Sequence, residues 1–136
     1  EGQEAIIAHV DLRGQGRPRV SRYGVNVEAI EQVGVKAVRR AMQRERVVIV
    51  DEIGKMELLC RPFKEAVLQA VGGPHTVVAT AMSGPNLWVD ELKALPQVET
   101  WEVTEDNREE MAGRVIDWEA RDFPGGKHGR RAIETA

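Results

Sequence analysis

Four consecutive β-branched residues, Val47-Val48-Ile49-Val50, run directly into two acids, Asp51 and Glu52. Branching at Cβ suits a pleated backbone. An apolar run that does not alternate predicts a strand buried on both faces inside a parallel sheet. That prediction constrains the rest of the chain, because a parallel neighbour cannot be reached by a tight turn. Each connection has to cross over through a dozen or more residues, usually a helix. The flanking sequence must therefore alternate strands with helices.

It does. Val27, Ile30, Val33, Ala37, Val38 and Ala41 recur at helical spacing over 27–44, and Asn26 is placed to cap them. Glu28 and Glu31 lie early and Arg39, Arg40 and Arg44 late, as the helix dipole favours. Pro62 suits a second helix start, with Phe63, Ala66, Val67 and Ala70 on one face and Gly72-Gly73 as its stop. Thr76 to Thr80 repeats the buried-strand pattern, and Leu87 to Leu95 reads as a short helix ended by Pro96. Val98 to Val103 predicts a further inner strand, Asp106 to about Arg121 a last helix, and Ala5 to Val10 a strand at the start. The reading is β-α-β-α-β-α-β-α: a three-layer α/β fold around a mostly parallel sheet, one domain over 1–123, then a loose basic tail over 124–136.

Composition narrows the function classes. Apolar residues make up 42% and charged residues 30%, which excludes a disordered, collagenous or disulfide-built chain. A net charge of -3 leaves no footprint for a polyanion, so nucleic acid is not an expected partner. Cys60 is the one cysteine, and His9, His75 and His128 form no zinc-spaced set with it. None of the four receives a role. No apolar stretch approaches the ~18 residues of a membrane span, and the first residues carry no leader pattern. The expected location is the cytoplasm, with no membrane partner. The first residue is Glu1 rather than Met, so the chain is expected to begin downstream of a longer protein's start.

In open parallel sheets ligands bind beyond the carboxyl ends of the strands, where Asp51, Glu52, Thr80 and Thr104 all fall. An Asp at such a strand end suits magnesium, and a Glu after it can polarise an attacking water. The alternative is that one of the two acids caps the following turn. The partner expected for a metal-and-water pair is a phosphate-cradling loop, G-x-x-x-x-G-K-S/T. No such loop occurs in residues 1–136: Gly54-Lys55 precedes Met56, and Gly126-Lys127 precedes His128.

Three segments, Arg19-Val-Ser-Arg-Tyr-Gly-Val25, Val47-Val-Ile-Val-Asp-Glu-Ile-Gly-Lys-Met-Glu-Leu58 and Val103-Thr-Glu-Asp-Asn-Arg108, stand in an order that resembles the thermophile nucleoside-triphosphatase family, relatives of the cancer-related nucleoside-triphosphatase. The resemblance runs from about Glu1 to Trp118. It implies a P-loop nucleoside-triphosphatase fold (RecA-like, of the group with an additional catalytic glutamate) lacking its first strand, phosphate loop and first helix. It also implies Mg2+-dependent hydrolysis of ATP, GTP and other nucleoside triphosphates by the complete protein, this chain alone being inactive. The alternatives are a non-catalytic interaction or regulatory module of the same fold, and a nucleotide kinase.

By the same resemblance Asp51 is the magnesium-organising acid of a Walker B strand and Glu52 the general base. Val47, Val48, Ile49, Val50, Asp51, Glu52, Ile53 and Gly54 form a nucleotide-binding segment. Lys55 reaches a phosphate or pairs on the surface, and Glu57 matches the motif without an assigned role. Arg19 and Arg22 lie on a loop where a cation could meet phosphate charge, or are simply solvated; the family has Gly where Ser21 stands. Thr80 senses the γ-phosphate or caps. Asn107 and Arg108 hold the base, or Asn107 is a local cap. Loss of a strand from inside the sheet predicts an exposed strand edge open to self-association, or a rearranged fold.

Overall fold

The computed structural model describes residues 2–12, 16–44, 47–121 and 131–135. Its first part is a small antiparallel sheet of β1 (Ala8–His9), β2 (Arg19–Val20) and β3 (Tyr23–Val25), in the order β1-β3-β2. Ser21, at the hairpin tip, has a φ of 53°, a conformation that glycine adopts without steric cost. A side chain at Gly24 would collide with the backbone carbonyl of Leu12, so only glycine lets the two segments pass. The Ala5 to Val10 segment is thus a two-residue strand in this separate sheet and not a member of the parallel one. His9 pairs with Gly24 across an antiparallel ladder, which takes its backbone groups.

The Asn26 side chain accepts the Ala29 N–H and starts the first helix. It runs as α1 (Val27–Ala29), a π-helical stretch (Ile30–Val35) and α2 (Lys36–Arg44), with Ile30, Val35 and Val38 buried. β4 (Val47–Ile53), a 3-10 turn (Glu57–Leu59), α3 (Arg61–Gly72), β5 (Thr76–Ala81), α4 (Leu87–Lys93), β6 (Val98–Glu102), α5 (Arg108–Ala120) and β7 (Arg131–Thr135) follow. Asn86 caps α4 by accepting the Val89 N–H.

β4, β5, β7 and β6 form one sheet in that order, every pairing parallel. One face packs Val48, Val50, Val77, Ala79 and Ile133 against the π-helical stretch, α2, α3 and α4. The other packs Trp101 and Ala132 against Met111 and Trp118 of α5. Helices on both faces make the three layers that the apolar run implied.

Three expectations change. Residues 131–135 of the supposed loose tail are an interior strand, hydrogen-bonded to β5 on one side and β6 on the other. Alternating burial does not announce so short a segment, and its two parallel neighbours, both remote in sequence, supply what holds it. Residues 124–130 and 136 of that tail lie outside the described residues. β6, expected inside, is instead an end of the described sheet, because β7 has taken the inner place. β4 is the other end, and it is not buried on both faces: Ile49 is 73% exposed. The α5 cluster lies over β6, β7 and Val78, short of Ile49.

Candidate active site

Val50 of β4 pairs with Ala79 of β5, and the next matched pair is Ile53 with Ala81. Two residues of β4, Asp51 and Glu52, thus stand opposite the single Thr80. Such a bulge bends a strand and re-aims its side chains, here at the carboxyl end of a parallel sheet. The Asp51–Glu52 peptide is cis. Thr80 Oγ1 donates to Asp51 Oδ1 at 2.5 Å, which ties the two strand ends together. Asp51 and Glu52 are exposed, while Ile53 and Gly54 behind them are buried.

Gly54 has two glutamate side chains folded against its bare face. A Cβ there would be 2.5 Å from Glu52 Oε1 and 2.9 Å from Glu57 Oε2, so the two carboxylates meet over the glycine's bare face. Glu57 Oε2 also accepts the Gly54 N–H at 3.2 Å, and the Gly54 carbonyl accepts the Leu58 N–H at 3.1 Å. Two clefts open on this point. One, of about 530 Å3, is lined by residues that include Ile7, Ile30, Val38 and Phe63 together with Asp51, Glu52 and Glu57. The other, of about 420 Å3, is lined by Val20, Glu52, Lys55, Met56, Glu57 and Met82. Glu52 and Glu57 belong to both.

The remaining sequence candidates divide. Val48, Val50 and Ile53 are core side chains, so this part of the segment offers a ligand only its backbone, while Val47 is partly buried and Ile49 exposed. Lys55 is exposed on the smaller cleft and enters no ion pair among the described residues. The β2–β3 hairpin reaches the same cleft through Val20. Arg22 folds back on its neighbour, donating to the Tyr23 hydroxyl at 3.1 Å with its guanidinium 5.2 Å from the ring centre. Arg19 is exposed on β2. Asn107 is engaged at both ends, donating to the Glu102 carbonyl at 2.9 Å and accepting the Thr104 N–H at 2.8 Å, and its side chain makes no cap hydrogen bond to α5. Arg108 is exposed beside Glu109. Both follow β6, three strands from β4, roughly 14 Å at ~4.8 Å per strand.

Glu57, which matched the motif without an assigned role, lies at the same place. Its spacing, three residues after Gly54 at the start of a helical turn, is the signal: a Glu there reaches back to a backbone N–H, as in a capping box.

A family model described as NTPase matches residues 1–116. The chain belongs to this family. Among its relatives is the nucleoside-triphosphatase THEP1 of Thermotoga maritima, 36% identical over 116 residues, covering 85% of this chain and 66% of the relative. The cancer-related nucleoside-triphosphatase homolog of mouse is 32% identical over 124 residues, covering 85% of this chain and 65% of its own. The crystal structure of THEP1 from the hyperthermophile Aquifex aeolicus superimposes with a TM-score of 0.79 at 30% identity, covering 88% of this chain and 73% of that one. The expected α/β fold of a P-loop nucleoside-triphosphatase is therefore the fold of this family member. The chain spans about two thirds of the length of these curated relatives. The family match ends at residue 116, so the interior strand β7 comes from residues beyond it.

Among the described residues no three His, Cys, Asp or Glu side chains gather as a metal cage. Magnesium does not ask for one: it is commonly held by one or two carboxylates, its other positions filled by phosphate oxygens and water. An exposed Asp51 with one oxygen fixed by Thr80 fits that donor set. No helix is long and apolar enough to cross a membrane, among the described residues.

Proposed function

We propose that Asp51 and Glu52 form the metal-and-water half of a site that hydrolyses nucleoside 5'-triphosphates, ATP and GTP among them, to the diphosphate and phosphate in the cytoplasm. The observation that carries this reading is the bulge at the end of β4. It turns two adjacent acids out of strand β4 at the carboxyl edge of a parallel sheet, one tethered and one facing a cleft.

Bound magnesium would neutralise charge on the phosphates, and Asp51 is the residue to hold it, directly or through water. Thr80 keeps the Asp51 carboxylate in one orientation, which lowers the entropy lost when the ion binds. Glu52 accepts the proton of the attacking water as its oxygen bonds to the γ-phosphorus and the bond to the bridging oxygen breaks. Lys55, exposed on the same cleft, meets a phosphate oxygen. Arg19 and Arg22 approach on the neighbouring hairpin, Arg22 only after leaving Tyr23. Asn107 stays structural and Arg108 remains available to the base.

Phosphoryl transfer is mainly positioning and charge stabilisation, and residues 1–136 contain no G-x-x-x-x-G-K-S/T loop to grip the phosphates. Hydrolysis by these residues alone is therefore expected to be negligible without that loop from elsewhere in the protein. One observation favours a second reading, a non-catalytic interaction module that self-associates through a sheet edge. The sheet is continuous without any phosphate loop, because β7 fills its interior.

Phosphate release from MgATP and MgGTP, by the protein carrying the reading frame upstream of Glu1, decides between them. Release that EDTA stops and Asp51→Asn reduces at least tenfold supports hydrolysis. No release from a protein that contains the loop, or a rate indifferent to Asp51→Asn, removes that reading, and a concentration-dependent dimer would then favour the module.

A further inference from the structure

We infer that Glu57 is a positioning residue for Glu52. The inference rests on the hydrolytic reading of that site and goes beyond it by assigning work to a carboxylate outside both strands. Glu57 lies one turn downstream, at the start of the 3-10 turn Glu57–Leu59, and its Oε2 accepts the Gly54 N–H at 3.2 Å. The Gly54 carbonyl accepts from Leu58 at 3.1 Å, so both backbone groups of Gly54 are held by the turn that follows it.

Glu52 is two residues earlier on the same bulged backbone, with Oε1 against the hydrogen-only face of Gly54. The glycine and the Glu57 carboxylate flank its carboxylate, and the cleft shared with Lys55 and Met82 lies open to it. Two like charges brought to one glycine repel. The Gly54 N–H fixes Glu57, so Glu52 is the partner free to turn, and the direction left to it is the open cleft, where water and substrate enter. A helix cap alone would need Glu57 to satisfy an N–H. It would not need that carboxylate to share a glycine face and both clefts with the general base.

The account separates the two properties of Glu57. Glu57→Gln keeps an oxygen that accepts the Gly54 N–H and removes the charge; Glu57→Ala removes both. In protein labelled with 13C and 15N, the Gly54 amide resonance should move farther in Glu57→Ala than in Glu57→Gln, which keeps a weaker acceptor. The Glu52 side-chain carboxyl resonance should move in both variants, farther in Glu57→Ala. A merely structural cap would move Gly54 and leave the Glu52 carboxyl in place, and that pattern overturns the proposal.

In the form of the protein that releases phosphate, Glu57→Ala should lower kcat about tenfold with KM within twofold, and Glu57→Gln should recover part of it. Equal rates in all three overturn it too. Glu52→Gln, assayed alongside, keeps the outcomes apart. If Glu52→Gln leaves turnover unchanged, the hydrolytic reading fails whatever Glu57 does, and the resonances still decide whether Glu57 orients its neighbour.

Discussion

Two glutamates of one sheet have opposite fates. Glu99, on β6, receives the Trp101 indole N–H on one carboxylate oxygen at 2.7 Å and the Trp118 indole N–H on the other at 3.0 Å. The two rings meet edge to face, with centroids 5.7 Å apart, and Arg114 lies 4.7 Å over Trp101. Each acceptor oxygen has a donor, and the acid is spent on joining α5 to the sheet. Glu52, one residue before the end of β4, lines two clefts, and its carboxylate shares the face of Gly54 with that of Glu57. The contrast shows what sets an acid aside for chemistry. The fold gives Glu99 donors, and gives Glu52 a glycine, an open cleft and a like charge.

If that distinction holds, substitutions in the first region should cost stability and those in the second should cost function. Trp118→Ala should have the largest effect on folding, about 3–5 kcal/mol from a ring that is 4% exposed, read by denaturant unfolding. A smaller loss would mean that α5 is held elsewhere.

Glu99→Ala should cost roughly 1–2 kcal/mol, because two indole N–H groups lose their acceptor at a partly buried site. Glu52→Ala should be neutral or nearly so in the same unfolding experiment, within about 0.5 kcal/mol for an exposed site. Equal losses at the two glutamates would break the comparison.

Thr80→Val sharpens the second region. It removes the donor to Asp51 with little change of volume, and should cost about 1 kcal/mol or less in stability. The Mg2+ concentration for half-maximal phosphate release should rise severalfold.

The smallest effect belongs to Cys60, the buried residue just before α3, where desolvation raises the thiol above its ordinary value of 9.0. A thiol whose folded pKa is raised contributes stability that is fully present below its unfolded value and is lost as pH rises through the folded one. Unfolding free energy should therefore be insensitive to Cys60 through neutral pH and decline above about pH 9, a decline that Cys60→Ala removes.

Much of this was legible beforehand because the signals were local. Asn26 announced a cap and accepts the Ala29 N–H; Thr76 to Thr80 announced a strand and pairs with β4. Phe63, Ala66, Val67 and Ala70 read as one helix face, and all four are buried. What was not legible depends on distant partners. The five residues of β7 carry no strand pattern of their own, and their place exists only because β5 and β6 leave one between them. Ile49 reads as core from its neighbours, and it is exposed because α5 packs over the other half of the face.

At the site, the Asp51-Glu52 pair was visible as a dipeptide. The bulge that aims it, the Thr80 tether and the meeting of Glu52 with Glu57 over Gly54 were not, since each joins residues through the fold. The Asn107 amide likewise finds its partners, Glu102 and Thr104, only once the strand has ended.

The measurement closest to the central claim compares wild type with Glu52→Gln, in the form of the protein that carries a phosphate loop, reading nucleotide binding and phosphate release in one sample. The account predicts MgATP affinity within a few fold of wild type and a rate of release lower by about 10²–10⁴, the usual contribution of a general base. Release at the wild-type rate from Glu52→Gln would contradict it.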